Sequence, residues 1–247
     1  MKKFLSLIVF CCFVAAFSAC NTDSDEPTPA IPADASYDFA TLTAKGSSTT
    51  TFQLRKSDDS PLITYMANQS MENIKEIKVG DRLIICYKPI GHQVYTDGMI
   101  TLYGMVYLTS TDQTVLTGTS QAYNEFYSIP LSMQVLNRTG NYINVQALAS
   151  VMRAEKPTKF VLVADEATLS SKNPDLHVVY LTPDGNDGPN QLAAYGSFDI
   201  SSIWNNSAYE GVTVHYQSLG GPRSQTFYKS NIGPSTPEEL PMPDSNN

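Results

Sequence analysis

The chain has 247 residues, with 16 basic and 24 acidic side chains and a formal net charge of −8. Its lysines and arginines are scattered, which excludes nucleic acid as an expected partner because phosphate contacts dominate such binding. Hydrophobic residues make up 42% of the chain, and this length fits one large or two small β domains.

Residues 1–19 predict a secretory signal peptide. Lys2 and Lys3 precede the apolar run Phe4–Phe17, which is too short for a comfortable membrane span. The stretch from Phe17 to Cys20 resembles the lipobox of bacterial lipoproteins. That resemblance implies cleavage before Cys20 and its lipidation, with more than one acyl chain giving a stable membrane anchor. The alternative is an ordinary signal peptide, or an uncleaved anchor, with a chance cysteine.

The cysteines agree with export without disulfides. Cys11 and Cys12 lie in the signal and Cys20 would carry lipid, so only Cys86 remains in the mature chain. Cys86 lies in the apolar run Leu83–Tyr87, which predicts a buried, inert thiol rather than a nucleophile.

Residues 20–36 predict an acidic, proline-containing tether, because they carry too little apolar surface to fold alone. Their acidic cluster resembles the signals that send some lipoproteins to the cell surface, and it equally suits a simple solvated spacer. We therefore expect an outer-membrane lipoprotein of the cell envelope, with surface exposure left open. Residues 233–247 predict a disordered tail.

The body of the chain predicts an all-β fold. Short runs rich in β-branched and aromatic residues recur between turn residues. The predicted strands are Tyr37–Thr43, Thr50–Leu54, Leu62–Met66, Arg82–Tyr87, Ile100–Leu108, Tyr142–Ala147, Phe160–Ala164, Leu176–Leu181, Gly196–Ile200 and Val212–Tyr216.

Alternation within these runs predicts which side chains face a core. Ile143, Val145 and Ala147 share one face of their strand. In another strand, one face carries Val212, Val214 and Tyr216. The best helix candidate is Met71–Lys78 after the potential cap Ser70. The residues Asp199–Ile203 predict a strand that ends in a tight turn.

A polar stretch over residues 109–124 predicts the join between two β units. We expect a small OB-like barrel domain over residues 37–115, followed by an antiparallel β-sandwich domain over residues 116–232. We also expect a monomer.

Motifs for catalysis, metal binding or a cofactor are not apparent. His92, His177 and His215 have no second ligand at metal-binding spacing, and ordinary histidines of strands and loops are expected. Asp165 and Glu166 are adjacent, so in a strand they point to opposite faces and cannot jointly flank a bond. The loop Pro183–Asn190 has oxygen ligands suited to calcium. Tight turns need the same residue types, so we predict a turn here rather than a calcium site.

Aromatic residues offer the other candidate binding feature. The chain has 14 tyrosines and one tryptophan. Large rings fill small β cores more often than they form a ligand platform, and the sequence does not identify the exposed ones. The clustered rings are Tyr95, Tyr103 and Tyr107 in the first unit and Tyr195, Trp204 and Tyr209 in the second.

The run from Ile77 through Ile85 resembles the opening of the first domain in the NigD-like lipoproteins. Further matching segments follow in the same order as in that family. These segments are Asn141–Val145, Leu176–Leu181, Gly196–Ile203 and Val212–Tyr216.

The resemblance implies an OB-type barrel followed by a β-sandwich, and no catalytic residues carry over. The family name comes from a bacteriocin gene cluster, where an immunity or accessory role is suspected. We therefore expect a non-enzymatic, lipid-anchored envelope protein that binds an unknown protein or glycan partner. The alternatives are a surface glycan-binding lipoprotein of a polysaccharide-uptake system, an enzyme without a visible motif, and a subunit of a surface filament.

Overall fold

A computed structural model describes residues 31–108, 116–118, 129–151, 159–181, 188 and 190–229. Strands dominate these residues, which confirms the all-β prediction. The strands are β1 (Ser36–Lys45), β2 (Thr50–Leu54), β3 (Ile63–Ala67), β4 (Arg82–Pro89), β5 (Gly98–Tyr107), β6 (Leu116–Gly118), β7 (Leu131–Thr139), β8 (Tyr142–Val151), β9 (Lys159–Asp165), β10 (Asp175–Leu181), β11 (Asn190–Asp199), β12 (Gly211–Ser218) and β13 (Gly221–Tyr228).

The first unit is a closed five-stranded barrel in the order β1-β2-β3-β5-β4. Antiparallel pairing of β1 with β4 closes it, and β3 pairs with β5 in parallel. This order is typical of the OB fold, as predicted. Alternate residues of each strand fill the barrel, including Leu42, Phe52, Tyr65, Ile85 and Tyr87.

The segment between β3 and β4 corrects one prediction, because Met71–Lys78 forms turns and not a helix. Met71 and Ile77 are both buried in the barrel core. Six helical residues would place them about 120° apart around the axis, at opposite edges of an apolar helix stripe, so a helix would bury both less fully than these turns do. The Lys45 ammonium instead donates to the Ile77 carbonyl oxygen at 2.8 Å and holds the irregular chain.

A tight turn then leads into β4. Gly80 has a φ of +100°, which favours glycine, and its N–H donates to the Leu42 carbonyl oxygen at 2.8 Å. The Asp81 carboxylate accepts a hydrogen bond from the Lys78 N–H at 2.7 Å. Strand β4 therefore enters the barrel with its apolar run already in register.

The second unit contains a three-stranded sheet, β11-β8-β7, and a five-stranded sheet, β13-β12-β10-β9-β6. Both contribute to one core, which contains the predicted inward faces of Ile143, Val145 and Ala147 and of Val212 and Val214. The pairing is not purely antiparallel, since β10 with β12 and β6 with β9 are parallel. These parallel pairs arise where the chain leaves one strand and returns beside another that is not its neighbour in sequence.

A one-turn helix, α1 (Ser201–Trp204), follows β11. The Asp199 carboxylate accepts a hydrogen bond from the Ser201 N–H at 2.8 Å, which confirms the predicted tight turn. None of the helices in the described residues is long and apolar enough to cross a membrane.

The three-stranded sheet lies between the barrel and the core of the second unit. Its far side contacts the barrel through a small apolar cluster in which Ile84 and Val106 meet Tyr195. The middle sheet is therefore covered on both faces near β11, and toward β7 the interface opens into a cleft.

The barrel strands lie between Ser36 and Tyr107, and the other sheets begin at Leu116. The predicted join over residues 109–124 falls mostly outside the described residues, as do the predicted signal peptide, Cys20 and the predicted tail. Residues 32–36 of the predicted tether lie against the barrel, where Asp34 pairs with Lys88 at 2.8 Å.

Candidate functional site

The candidate site is the cleft between the barrel and the face of the three-stranded sheet, beside its edge strand β7. Its volume is about 530 Å³, within the range typical of ligand sites. Barrel residues form one wall, β7 and β8 form the other, and residues 32–35 lie at the rim. The lining residues are Pro32, Ala33, Ala35, Tyr37, Asp38, Phe39, Arg55, Lys56, Ile84, Val135, Asn137, Thr139, Asn144 and Gln146.

The barrel wall is organised around Asp38. Its two carboxylate oxygens accept hydrogen bonds from the hydroxyls of Tyr87 at 2.8 Å and Tyr95 at 3.2 Å. Burial raises the pKa of Asp38, and the two tyrosine hydrogen bonds oppose that rise. Burial and the nearby carboxylate also raise the pKa of Tyr95 to about 12. Asp38 therefore acts as a fixed acceptor between two neutral phenols.

Tyr95 contacts two residues of this wall, Asp38 and Lys56, and has an unusual backbone conformation. Its φ of +66° is the only positive value for a non-glycine residue in the described part of the chain. The Tyr95 N–H donates to the hydroxyl of Tyr65 at 2.7 Å, which fixes the strained loop on the barrel core. Non-glycine residues in this conformation concentrate at functional sites. The ring of Tyr95 also lies 5.3 Å from the Lys56 ammonium.

The opposite wall is built around Asn144. Its side-chain oxygen accepts hydrogen bonds from Ser197 at 2.7 Å and Arg82 at 3.1 Å. Its amide nitrogen donates to Asn137 at 2.9 Å and Thr139 at 2.8 Å. Asn144 is thereby saturated, while the amino group of Asn137 and the whole side-chain amide of Gln146 make no hydrogen bond within the described residues.

Arg82 joins the two walls. Its side chain is 4% exposed, and it donates to Ser197 at 2.9 Å, to Thr41 at 3.1 Å and to Asn144. Its guanidinium carbon also lies 4.2 Å from the centre of the Tyr142 ring. Burial lowers the pKa of Arg82 to about 10, so the group remains charged at neutral pH. One buried cation thus connects the barrel to both β8 and β11.

A second contact between the units involves Arg138 of β7. Its guanidinium donates to Asp59 at 3.2 Å and stacks 3.9 Å from the centre of the Trp204 ring. The Gly140 N–H donates to the Asp58 carbonyl oxygen at 2.7 Å. Contacts at two separated places hold the units together, so the cleft is preformed.

Apart from Tyr95, the candidate residues named from the sequence lie away from the cleft or outside the described residues. Cys20 is outside the described residues, and so is the loop Pro183–Asn190 apart from positions 188 and 190. Cys86 is buried, as predicted, and burial raises the pKa of its thiol. Asp165 ends β9 and its carboxylate accepts a hydrogen bond from the Ala167 N–H at 3.0 Å, which confirms the predicted strand end.

The structure brings two of the three histidines together, which the sequence did not predict. His177 and His215 are paired across β10 and β12, with their rings stacked at 5.0 Å, and His215 lies 2.8 Å from an Asp175 carboxylate oxygen. The pKa of His177 is lowered to about 4, mainly by burial and to a smaller extent by the neighbouring His215. Within the described ranges, no group of three or more His, Cys, Asp and Glu side chains could hold a metal ion.

Sequence reasoning found Tyr95 only as one ring among several, and it missed Asp38, Arg55, Lys56 and Gln146. These residues are ordinary strand and loop residues in the sequence. Only the pairing of strands far apart in the chain brings them to one cleft, so no local signal marks them.

No family model matches the chain, and no curated protein matches it. Solved structures share its fold. A protein of unknown function from Bacteroides vulgatus matches with a TM-score of 0.61 at 16% identity, over 85% of this chain and 96% of that one. A NigD-like immunity protein from Bacteroides caccae matches with a TM-score of 0.51 at 13% identity, over 78% of this chain and 92% of that one.

A candidate lipoprotein from Bacteroides fragilis matches with a TM-score of 0.52 at 13% identity, over 81% of this chain and 100% of that one. At these identities the likeness shows the fold alone. The predicted likeness to the NigD-like lipoproteins is confirmed at that level, since a NigD-like protein has this architecture over most of both chains.

Proposed function

We propose that this chain is a non-enzymatic, lipid-anchored binding protein of the cell envelope, and that the cleft is its binding site. The observation that carries the proposal is the preformed cleft with unengaged polar groups on both walls. Lys56 has no carboxylate partner within the described residues, and Gln146 has no hydrogen-bond partner there. Polar groups left open in a rigid concave site are suited to a ligand.

The ionisable groups of the cleft are better suited to ligand binding than to catalysis. Asp38 is the one carboxylate among the described cleft residues, and two tyrosine hydroxyls occupy its oxygens. Glycoside hydrolysis ordinarily uses a pair of carboxylates, and proton transfer needs a group free to exchange its proton. Asp38 is better suited to accept a hydrogen bond than to act as an acid or base.

For the biological setting we propose a bacteriocin-associated role, either immunity or an accessory function. The support is the shared fold with a NigD-like immunity protein. The predicted lipidation of Cys20 would hold the chain in the outer membrane, where it could meet a toxin before the toxin reaches its target.

The test is survival of sensitive cells challenged with bacteriocin-containing culture fluid. Cells that produce the full chain should survive, and Gln146→Trp, which fills the cleft, should abolish protection. Gln225→Trp is the matched control, because Gln225 lies on the exposed face of the edge strand β13. Equal protection by both variants would contradict the cleft as the site, and no protection by the wild type would contradict the bacteriocin-associated role.

The composition of the cleft favours a second candidate, glycan binding. Asn137, Thr139 and Gln146 present amide and hydroxyl groups, and the Tyr37 ring is 39% exposed at the same cleft. The hydroxyls of a sugar can hydrogen-bond to these amide and hydroxyl groups, and the apolar face of its ring can pack on the Tyr37 ring. A glycan array probed with the full chain tests this candidate, and binding should disappear in Gln146→Trp while Gln225→Trp binds normally.

A further inference from the structure

We infer that the ligand of the cleft is an acidic saccharide, and that Arg55 and Lys56 receive its carboxylate. This inference rests on the proposed function in one respect, namely that the cleft is the binding site. It goes further by naming the charge of the ligand and the two residues that recognise it.

The two cations are adjacent in sequence, directly after β2, and both line the cleft. The Arg55 guanidinium donates to the Ser60 carbonyl oxygen, which positions it and leaves its other N–H groups available. Neither Arg55 nor Lys56 forms an ion pair within the described residues. A guanidinium and an ammonium that line the same cleft offer a bidentate and a point-charge contact to a carboxylate.

The local charge opposes that of the whole chain. The protein carries a formal net charge of −8, so long-range attraction does not favour an anion. Asp38 could have neutralised the cations, but its oxygens accept from Tyr87 and Tyr95 and it forms no ion pair with either cation. Two neighbouring cations without a counterion at one cleft are a site for an anionic group of a ligand.

The rest of the cleft is suited to a sugar ring. Gln146 and Asn137 face Arg55 and Lys56 from the other wall and have donors and acceptors to spare. Phe39, Ile84 and Val135 supply an apolar surface between the walls, where the C–H face of a sugar can pack.

A saccharide fits these observations better than an acidic peptide. An extended peptide is usually held by main-chain hydrogen bonds to a strand edge, whereas this cleft meets the face of the sheet through alternate residues of β7, namely Val135, Asn137 and Thr139. Here the unengaged groups are side-chain amides and cations around a cleft of about 530 Å³, which suits a compact ligand.

The experiment is isothermal titration of the full chain in detergent with digalacturonic acid and with cellobiouronic acid. Galactobiose and cellobiose are the neutral counterparts, and triglutamate is the acidic peptide. We expect at least one acidic disaccharide to bind about tenfold or more tightly than its neutral counterpart, as charge-assisted hydrogen bonds allow. The double variant Arg55→Gln/Lys56→Gln should lose this preference.

The matched control is Lys75→Gln/Lys78→Gln, which removes the same charge from two exposed lysines outside the cleft and should keep the preference. Equal binding of acidic and neutral disaccharides would overturn the inference but leave the cleft as a sugar site. Binding of triglutamate alone would replace the saccharide with a peptide. Failure of every disaccharide to bind would overturn the inference, and the survival assay with Gln146→Trp would then decide separately whether the proposed function stands.

Discussion

Removing the Arg82 guanidinium tests whether one buried cation holds the two units together. In Arg82→Met, the apolar side chain occupies much of the same volume, so the loss comes mainly from polar contacts. Ser197 and Asn144 still bond to each other, and Thr41 lies at a second cavity that water can reach, so no partner is fully orphaned. Losing these hydrogen bonds should cost about 1–3 kcal/mol, and losing the contact with the Tyr142 ring about 1 kcal/mol.

The expected total is therefore about 2–4 kcal/mol, and for a chain of this size 3 kcal/mol lowers Tm by about 6–12 °C. Urea unfolding should be followed by far-UV circular dichroism for both units and by fluorescence of Trp204, the single tryptophan. Arg223→Met on the exposed edge strand is the control and should change stability by about 0.5 kcal/mol or less. If the two variants have the same effect, Arg82 does not join the units. A double-mutant cycle with Ser197→Ala should give a coupling of at least about 0.5 kcal/mol.

Three further predictions concern the turn before β4, the histidine pair and the anchor. Gly80→Ala should destabilise by about 1–2 kcal/mol in urea unfolding, because a side chain disfavours its positive φ, while Gly220→Ala should be nearly neutral. His177 has a pKa of about 4 when folded and 6.5 when unfolded, so the unfolded chain binds the extra proton and stability should fall as pH drops from 6.5 toward 4. In thermal melts over this pH range, His177→Gln should lessen the fall in stability and His92→Gln should leave it unchanged. If His177→Gln and the wild type lose stability equally with falling pH, His177 is not the group responsible. Cys20→Ser should release the protein into the soluble fraction or leave it unprocessed, and membrane retention at the mature mass would contradict the lipid anchor.

The strands that the sequence predicted are those with a clear apolar period. In β12, Val212 and Val214 alternate with polar residues and lie in the core, as expected. Strand β7 was missed because a bulge between Met133 and Val135 interrupts its alternation. Strand β13 was missed because it is an edge strand whose residues are mostly polar and exposed.

The cleft could not have been predicted in the same way, because its chemistry depends on pairs that lie far apart in the chain. Arg82 and Ser197 are 115 positions apart, and Tyr95 reaches Asp38 over 57 positions. Each of these residues alone is typical of a β protein. Single-sequence patterns report which face of a strand is buried, and they do not report which strand from another unit will cover it.

The position of the cleft relative to Cys20 would link the proposed lipid anchor to the site. Pro32 lies at the rim of the cleft, twelve positions after Cys20, and twelve extended residues span at most about 43 Å. If Cys20 carries lipid, the cleft must therefore lie within about that distance of the bilayer. A ligand attached to the same membrane surface would meet the cleft at a high effective concentration, so weak intrinsic affinity would suffice for occupancy. Soluble fragments of such a ligand should accordingly bind the full chain more weakly than the same groups presented on a membrane.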